Sequence, residues 1–280
     1  MEKLLINDIP LRELGCVLAP DSYKSVLTWA KFKSLRSNDW AEYNFAEYDL
    51  SKPTLDKRTV TLNFHANGGD GYSRFMEYLM QYVYSFFEFP ELGVTLKLRI
   101  DTNSLKSIGQ KWQSFSITFF DDTPFTKVSP TLSTMNLPDT GYKLDGNDLS
   151  LFGIAVLQDS LKSICQIPAL KERLVINENS MNGAIYDGEA YPTTDYGLRL
   201  KSSSFTLKLL LRAENLIDAV SNYYYLYNIL RQSNSRVIYV TQLNKSFHCF
   251  YQQCSVSAVH KQLGSGLSGI AFDLTFNSTE

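Results

Sequence analysis

The sequence predicts an α+β fold, mainly antiparallel β, built as two similar β-sandwich or barrel domains with one helix packed on each. Three observations carry this. First, the chain repeats itself. Asn7-Asp8-Ile9-Pro10-Leu11 is echoed by Asn147-Asp148-Leu149-Ser150-Leu151, a shift of 140 from 7 to 147. Val60-Thr61-Leu62-Asn63-Phe64 is echoed by Phe205-Thr206-Leu207-Lys208-Leu209, a shift of 145 from 60 to 205. Phe115-Ser116-Ile117-Thr118-Phe119 is echoed by Phe272-Asp273-Leu274-Thr275-Phe276, a shift of 157 from 115 to 272. Second, the apolar spacing changes from alternation to a helical stripe at the same place in both copies. Third, one helix appears per copy, whereas a parallel βαβ sheet needs a helix after nearly every strand.

The elements follow in order. Residues 4 to 18 read as two strands around a turn at Asp8 to Pro10. Residues 21 to 56, which hold Trp29 and Trp40, are polar and irregular, and residues 158 to 200 are their counterpart. Loops of this length in a compact domain are functional or disordered as a rule. Their recurrence in both copies points to contact with a neighbour. Val60, Leu62 and Phe64 alternate with Thr61, Asn63 and His65, which is the mark of a half-buried strand. Phe205, Leu207, Leu209 and Leu211 do the same.

Residues 72 to 89 are expected to be helical, with Phe75, Leu79, Tyr82, Val83 and Phe86 on one stripe. Glu214 to Arg231 is the matching helix, carrying Leu216, Ile217, Val220, Tyr224, Tyr227 and Leu230. Val94 to Ile100 and Arg236 to Leu243 are read as the following strands. Asn244-Lys245 turns the second copy into a hairpin strand, Ser246 to His260, that the first copy lacks or shortens. The last strand runs from Gly269 to Asn277. Pro124, Pro130, Pro138, Gly141 and Gly146 mark a linker. The expected boundaries are a first domain at 1–125, the linker at 126–144 and a second domain at 145–280.

The bulk numbers fit. A chain of 280 residues divides into about two ordinary domains. A formal net charge of −2 argues against broad non-specific binding to nucleic acid. No apolar run is long enough to span a bilayer, and Leu4-Leu5-Ile6 is too short for a signal peptide. The expectation is a protein made in the cytoplasm and not embedded in a membrane. Cys16, Cys165, Cys249 and Cys254 are then reduced, packed thiols.

An opening of the type apolar-Asn-Asp, a long loop, a Thr-alternating strand, a helix, a hairpin and a closing Phe-x-apolar-Thr-Phe strand together resemble the tail-tube fold of phage tails. Distal tail proteins and baseplate hub proteins share that fold. The resemblance implies a structural part of a phage or prophage tail that acts by ring assembly. It implies self-association as a trimer or hexamer ring, joined along sheet edges, with neighbouring tail proteins as further partners. DNA or a tape-measure protein is then only passing content of the lumen, and the virion tail is the final location.

No catalytic, cofactor-binding or metal-binding residue is expected, and the chain is read as no enzyme. His248, Cys249, Cys254 and His260 lack the ligand spacing of structural zinc sites, and Cys249 and Cys254 fall on opposite faces of a regular strand. Gly68-Gly69-Asp70-Gly71 lacks the Lys and Ser/Thr of a phosphate-binding loop, so Asp70 or Ser73 is read as a helix cap. Asp121, Asp122, Asp139, Asp145 and Asp148 show no calcium-loop pattern. Gly264-Ser265-Gly266 is too short for a nucleophile elbow. His65 is placed at the surface or at an interface. Tyr223-Tyr224-Tyr225-Leu226-Tyr227 points all around its helix, so part of it faces the core and part a partner. The alternative reading is a tandem β-domain module that binds carbohydrate or peptide. A cleft lined by Trp29, Trp40 or Trp112 would favour that module.

Overall fold

The computed structural model describes residues 3–40, 44–68, 70–108, 112–124, 137–166, 180–181, 184–185, 200–263 and 266–279. The first half contains β1 (Leu5–Ile6), β2 (Ile9–Pro10), β3 (Cys16–Leu18), α1 (Ser22–Leu27), β4 (Ser37–Asn38), β5 (Glu47–Tyr48) and β6 (Arg58–Asn67). It continues with α2 (Gly71–Leu79), β7 (Ser85–Phe89), β8 (Val94–Ile108) and β9 (Trp112–Asp121). The second half contains β10 (Tyr142–Leu144), β11 (Asn147–Asp148), β12 (Ile154–Val156), α3 (Asp159–Ile164), β13 (Ser180–Met181) and β14 (Ala184–Ile185). It continues with β15 (Ser204–Ala213), α4 (Leu216–Leu230), β16 (Arg236–Val240), β17 (Lys245–His260) and β18 (Ser268–Ser278).

Two seven-stranded antiparallel sheets result, ordered β2-β1-β7-β8-β9-β6-β3 and β11-β10-β16-β17-β18-β15-β12. Element for element these are one topology written twice. Each long strand serves two neighbours in turn. β8 pairs with β7 over Val94 to Leu98 and with β9 over Arg99 to Ile108, and β17 divides itself likewise between β16 and β18. That change of partner curls each sheet around its apolar face. Val60, Leu62, Phe64 and Ala66 of β6 point into the core, as do Phe205, Leu207, Leu209 and Leu211 of β15.

The repetition extends to single atoms. Ser22 Oγ accepts from Asn63 N–H at 3.0 Å, and Ser25 Oγ accepts from Thr61 N–H at 2.7 Å. In the second half Ser160 Oγ accepts from Lys208 N–H at 2.8 Å, and Ser163 Oγ accepts from Thr206 N–H at 2.8 Å. β3 and β12 are only three residues long, so they leave part of β6 and β15 uncovered. The serines of α1 and α3 satisfy that remainder, which blunts an edge that would otherwise pair with another chain. Thr61 and Thr118 share a hydroxyl hydrogen bond at 3.2 Å, and Thr206 and Thr275 share one at 3.0 Å. Both long strands also shift register at matching places, between Ile100 and Thr102 and between Tyr251 and Gln253. The 145 and 157 shifts therefore relate true structural equivalents.

The 140 shift does not. Asn7 and Asp8 form the β1–β2 turn with φ of 50° and 67°, and Asp145 and Gly146 form the β10–β11 turn with φ of 48° and 85°. Two consecutive residues at positive φ suit a two-residue hairpin, and Asn, Asp and Gly adopt that conformation most readily. Asn7 Oδ1 accepts from Phe86 N–H at 2.8 Å, and Asp145 Oδ1 accepts from Val237 N–H at 2.9 Å. The equivalent of Asn7 is thus Asp145, 138 positions on, and Ser22 to Ser160 gives the same offset. Asp148 instead caps the 3-10 turn Leu149–Phe152, its Oδ1 accepting from Ser150 N–H at 2.8 Å and from Thr140 N–H at 3.0 Å.

Three further expectations change. The helix expected over 72–89 ends at Leu79, and Ser85–Phe89 is a strand with Ser85, Phe87 and Phe89 inward. Its apolar residues fit both periods, and burial of the aromatic pair Phe87 and Phe89 decides for the strand. The first half therefore has the β7–β8 hairpin that the sequence reads as absent or shortened, and β7 rather than β8 corresponds to β16. The helix expected in each half is joined by a short one, α1 or α3, inside segments that read as irregular. Tyr142 to Leu144, expected in the linker, pair with β16. Residues 126 to 136 of that linker lie outside the described residues, as do the turns at Asn182-Gly183 and Asp187-Gly188.

The repetition is open to test by substitution. Ser22→Ala and Ser160→Ala each leave a part-buried strand N–H without its partner, so each lowers unfolding free energy by about 1 kcal/mol in urea titrations. A loss confined to one of them would contradict the equivalence of α1 and α3. Burial opposes the charge on Asp148, but the hydrogen bonds from Ser150 and Thr140 hold its pKa below the usual carboxylate range. Its contribution is thus complete above the unfolded carboxylate value of about 3.9 and is lost as pH falls below it. Asp148→Asn makes unfolding less steep in pH across that acid window, measured by thermal melts from neutral pH to about pH 3.

Candidate functional site

The most densely built polar and aromatic cluster joins the two halves. α1 ends at Leu27, and Thr28 turns extended with φ −61° and ψ 127°. That carries Trp29 out of the first half and into the second. Trp29 is 2% exposed. Its ring stacks on Tyr227 at 4.7 Å and lies 4.4 Å from Tyr223, with Tyr251 and Phe272 at its edges. The hydroxyls of Tyr227 and Tyr251 both donate to the Ala30 carbonyl at 3.0 Å. The Tyr223 hydroxyl lies 3.0 Å from Cys254 Sγ. Burial pushes the pKa of Tyr223, Tyr227 and Tyr251 up, so these hydroxyls remain protonated donors across the physiological range.

From the first half, Arg58 fixes the same segment. Its Nη1 donates to the Val26 carbonyl at 2.9 Å and the Thr28 carbonyl at 2.8 Å, while its Nε donates to Asp121 at 2.8 Å. Both side chains of this ion pair are about 5% exposed or less. Residues 44 to 50 add further ties. Phe45 N–H donates to the Leu200 carbonyl at 3.0 Å, Ala46 N–H to Ser202 Oγ at 2.7 Å, and Asn234 N–H to the Leu50 carbonyl at 3.0 Å. Tyr48 packs on Phe250 at 4.8 Å. Glu91 accepts from Tyr23 at 2.6 Å and from Lys261 across the boundary. The long segment 21–56, expected to meet a neighbour, meets the chain's own second half.

This explains the tyrosine run. Tyr223, Tyr224 and Tyr227 are all buried, and Tyr225 packs beside Phe152 at 5.8 Å. Tyr223 and Tyr227 are covered by Trp29 of the first half, and Tyr225 packs on Phe152 of the second. Trp29 is interior, whereas Trp40 and Trp112 are each 54% exposed. The two surface hollows described next are lined by no tryptophan. A surface hollow of about 170 Å³ lies beside Lys3, Tyr23, Lys24 and Lys261, smaller than the ~300–1,000 Å³ of most ligand pockets. A shallow hollow of about 380 Å³ lies between β4 and β5, beside Arg36, Glu47 and Asp49.

The candidate chemistry disperses. Cys249 and Cys254 both point inward, because the register shift after Tyr251 restores the phase that a regular strand would lose. Burial raises the Cys254 thiol to about 12, and the Cys16 thiol likewise to about 12. Cys165 is exposed, contrary to the expectation of a packed thiol, and the residue that corresponds to Cys16 in the second half is Ile154. His65 Nδ1 meets Ser114 Oγ at 2.8 Å on the exposed face. His260 is exposed. Among the described residues no three His, Cys, Asp or Glu side chains converge as a metal site.

Asp70 makes no side-chain cap but pairs with Arg74 at 3.1 Å. Gly71 matters by its size, since a Cβ there would lie 2.8 Å from Ala66 Cβ. Gly69, Gly264 and Ser265 lie outside the described residues. Asp122 pairs with Arg99 at 2.5 Å, Asp145 with Arg236 at 3.1 Å, and Asp139 shares neither contact. No helix among the described residues is long and apolar enough to cross a membrane. What the sequence reading missed is the destination of Trp29. The signal was present as a tryptophan pair, Trp29 and Trp40, in a polar segment, with a tyrosine-rich helix one copy away.

Trp29→Ala empties the shared cradle and costs about 3–5 kcal/mol of unfolding free energy. Trp29→Phe keeps part of the stacking and costs less. Equal losses for the two would contradict a packing role.

The chain matches no described protein family and no curated protein sequence. Among solved structures it is similar to the crystal structure of SPP1 Dit (gp 19.1), described as a paradigm of hub adsorption apparatus in Gram-positive-infecting phages. Identity is 8%, the match covers 98% of this chain and 97% of that one, and the TM-score is 0.33. At those values the likeness decides neither fold nor role, and the chain's own geometry carries the functional reading.

Proposed function

We propose that this chain is a structural subunit of a phage or prophage tail, of the distal-tail or baseplate-hub kind, working by ring assembly. The observation that carries the proposal is the one-way interface between two halves of the same topology. The first half gives a segment and the second half receives it, using different surfaces. Contacts of that kind do not close on themselves in a pair; repeated, they close as rings or grow as filaments. The motif resemblance to tail-tube proteins selects the ring. The mechanism is geometric: copies of the chain surround a lumen through which DNA or a tape-measure protein passes, while other faces meet neighbouring tail proteins. On this reading the chain is made in the bacterial cytoplasm and ends in the virion tail.

Sedimentation velocity over rising concentration, with negative-stain microscopy of the largest species, tests this. Rings of three or six chains are expected. A monomer at every concentration, alone and with the neighbouring tail proteins, would remove the proposal.

A further inference from the structure

The boundary between the halves holds a hollow that the aromatic joint does not fill. β3 ends at Leu18, and the chain turns through Ala19 and Pro20 into α1, where Ser22 N–H donates to the Ala19 carbonyl at 3.1 Å. On the other side β17 ends at His260. The space beside these two ends measures about 170 Å³. The first half lines it with Lys3, Leu18, Tyr23 and Lys24, and the second with Val259 and Lys261. One water needs only about 10–15 Å³, so a small solute fits where a drug-sized ligand does not.

The charge around this hollow is positive. Three lining side chains are lysines, and among the described residues Asp21 is the one carboxylate that lines it. Asp21 reaches Lys24 at 3.5 Å, but the two side chains are 81% and 44% exposed, so that pair is weak. Glu91 is not part of the lining. It is 19% exposed and accepts from Tyr23 at 2.6 Å and from Lys261. Burial opposes its charge, but the hydrogen bonds from Lys261 and Tyr23 hold its pKa below the usual carboxylate range. Counted together, Lys3, Lys24 and Lys261 still exceed Asp21 and Glu91 by one positive charge.

Glu91 also prepares the hollow. It anchors the Lys261 ammonium, which lies 5.6 Å from the centre of the Tyr23 ring. An ammonium has three donors, so Lys261 keeps two after meeting Glu91. A side chain already held loses less freedom when it binds a further anion. Beside the cations the lining is apolar, with Leu18 and Tyr23 buried and Val259 packed on the core. A small oxyanion carried on a compact body suits that combination of cations and apolar surface.

We propose that this hollow binds a phosphoryl group, free or carried on a small polyol, through Lys3, Lys24 and Lys261. Lysine binds phosphate as a point charge, which suits a surface site without a bidentate clamp. Because both halves supply the cations, the bound anion clamps their boundary and stabilises the docked arrangement by mass action. The site is complete within one chain, so it stands whether or not the chain forms rings.

The test uses the full chain. Thermal melts are recorded in rising phosphate against chloride at matched ionic strength, for the parent and for Lys3→Gln with Lys24→Gln. Both lysines are exposed or half-exposed, so the double variant melts close to the parent in chloride. At ten times its dissociation constant, phosphate is expected to raise the parent's Tm by roughly 2–5 °C beyond the rise in the double variant. The general stabilising effect of phosphate acts on both chains alike, so the difference between them is the reading. Equal rises would mean an adventitious ion only and would overturn the site. Isothermal titration of the parent gives a second reading that needs no variant, and the absence of saturable heat overturns the site as well. Glucose 6-phosphate separates the two sources: tighter binding than phosphate assigns the site to an ester, and equal binding assigns it to the free anion.

Discussion

The insertion of Trp29 into the tyrosine cradle of the second half is the contact on which the rest depends. It is apolar at its centre, with four aromatic rings around one indole, and polar at its rim, where two tyrosine hydroxyls share the Ala30 carbonyl. The Arg58–Asp121 pair behind it does a different job. A buried ion pair adds little net stability over an apolar replacement, yet breaking it leaves a buried charge unpaired. Here the guanidinium also holds the Val26 and Thr28 carbonyls, so it fixes where the chain leaves α1. Direction comes from the ion pair, and cohesion from the aromatic stack. The bonds from residues 44 to 50, the Tyr48–Phe250 contact and the Glu91–Lys261 pair add further ties between the two sheets.

Two copies of one topology need not keep the same details, and here the kept and the changed details divide by role. The serine clips, the facing threonines and the strand register shifts occur in both halves, and the serine clips satisfy backbone N–H groups that any copy of this fold must satisfy. The surfaces have diverged. α4 is fifteen residues with buried tyrosines, whereas α2 is nine residues and ends in an exposed apolar turn. A fold shared by both halves says little about function, which resides in those differing faces.

Much of the fold was legible in the sequence wherever a single period ruled. β6, β15, β9, β18 and α4 each carry one clear alternation or stripe, and their pairing register follows the observed echoes. Legibility failed where two periods fit the same residues, as at Tyr82 to Phe89. It also failed where geometry interrupted a period. The register shift beyond Tyr251 turns Cys254 inward, and nothing in the residue types announces it. The echo of Asn7-Asp8 misled because a tight turn is specified by conformation rather than by letters, and Asp145-Gly146 supplies that conformation as well as Asn-Asp does. The interface was visible only as an unexplained tryptophan and a surplus of tyrosines, since contacts between distant segments leave no periodic trace.

One directional contact is held to serve both within the chain and between chains. Electron cryo-microscopy of the assembled particle measures this directly, as the rotation and translation that carry one half onto the next. The same operation is expected from first half to second within a chain and from the second half to the first half of its neighbour. Copies related by a two-fold axis, first half facing first half, would contradict it.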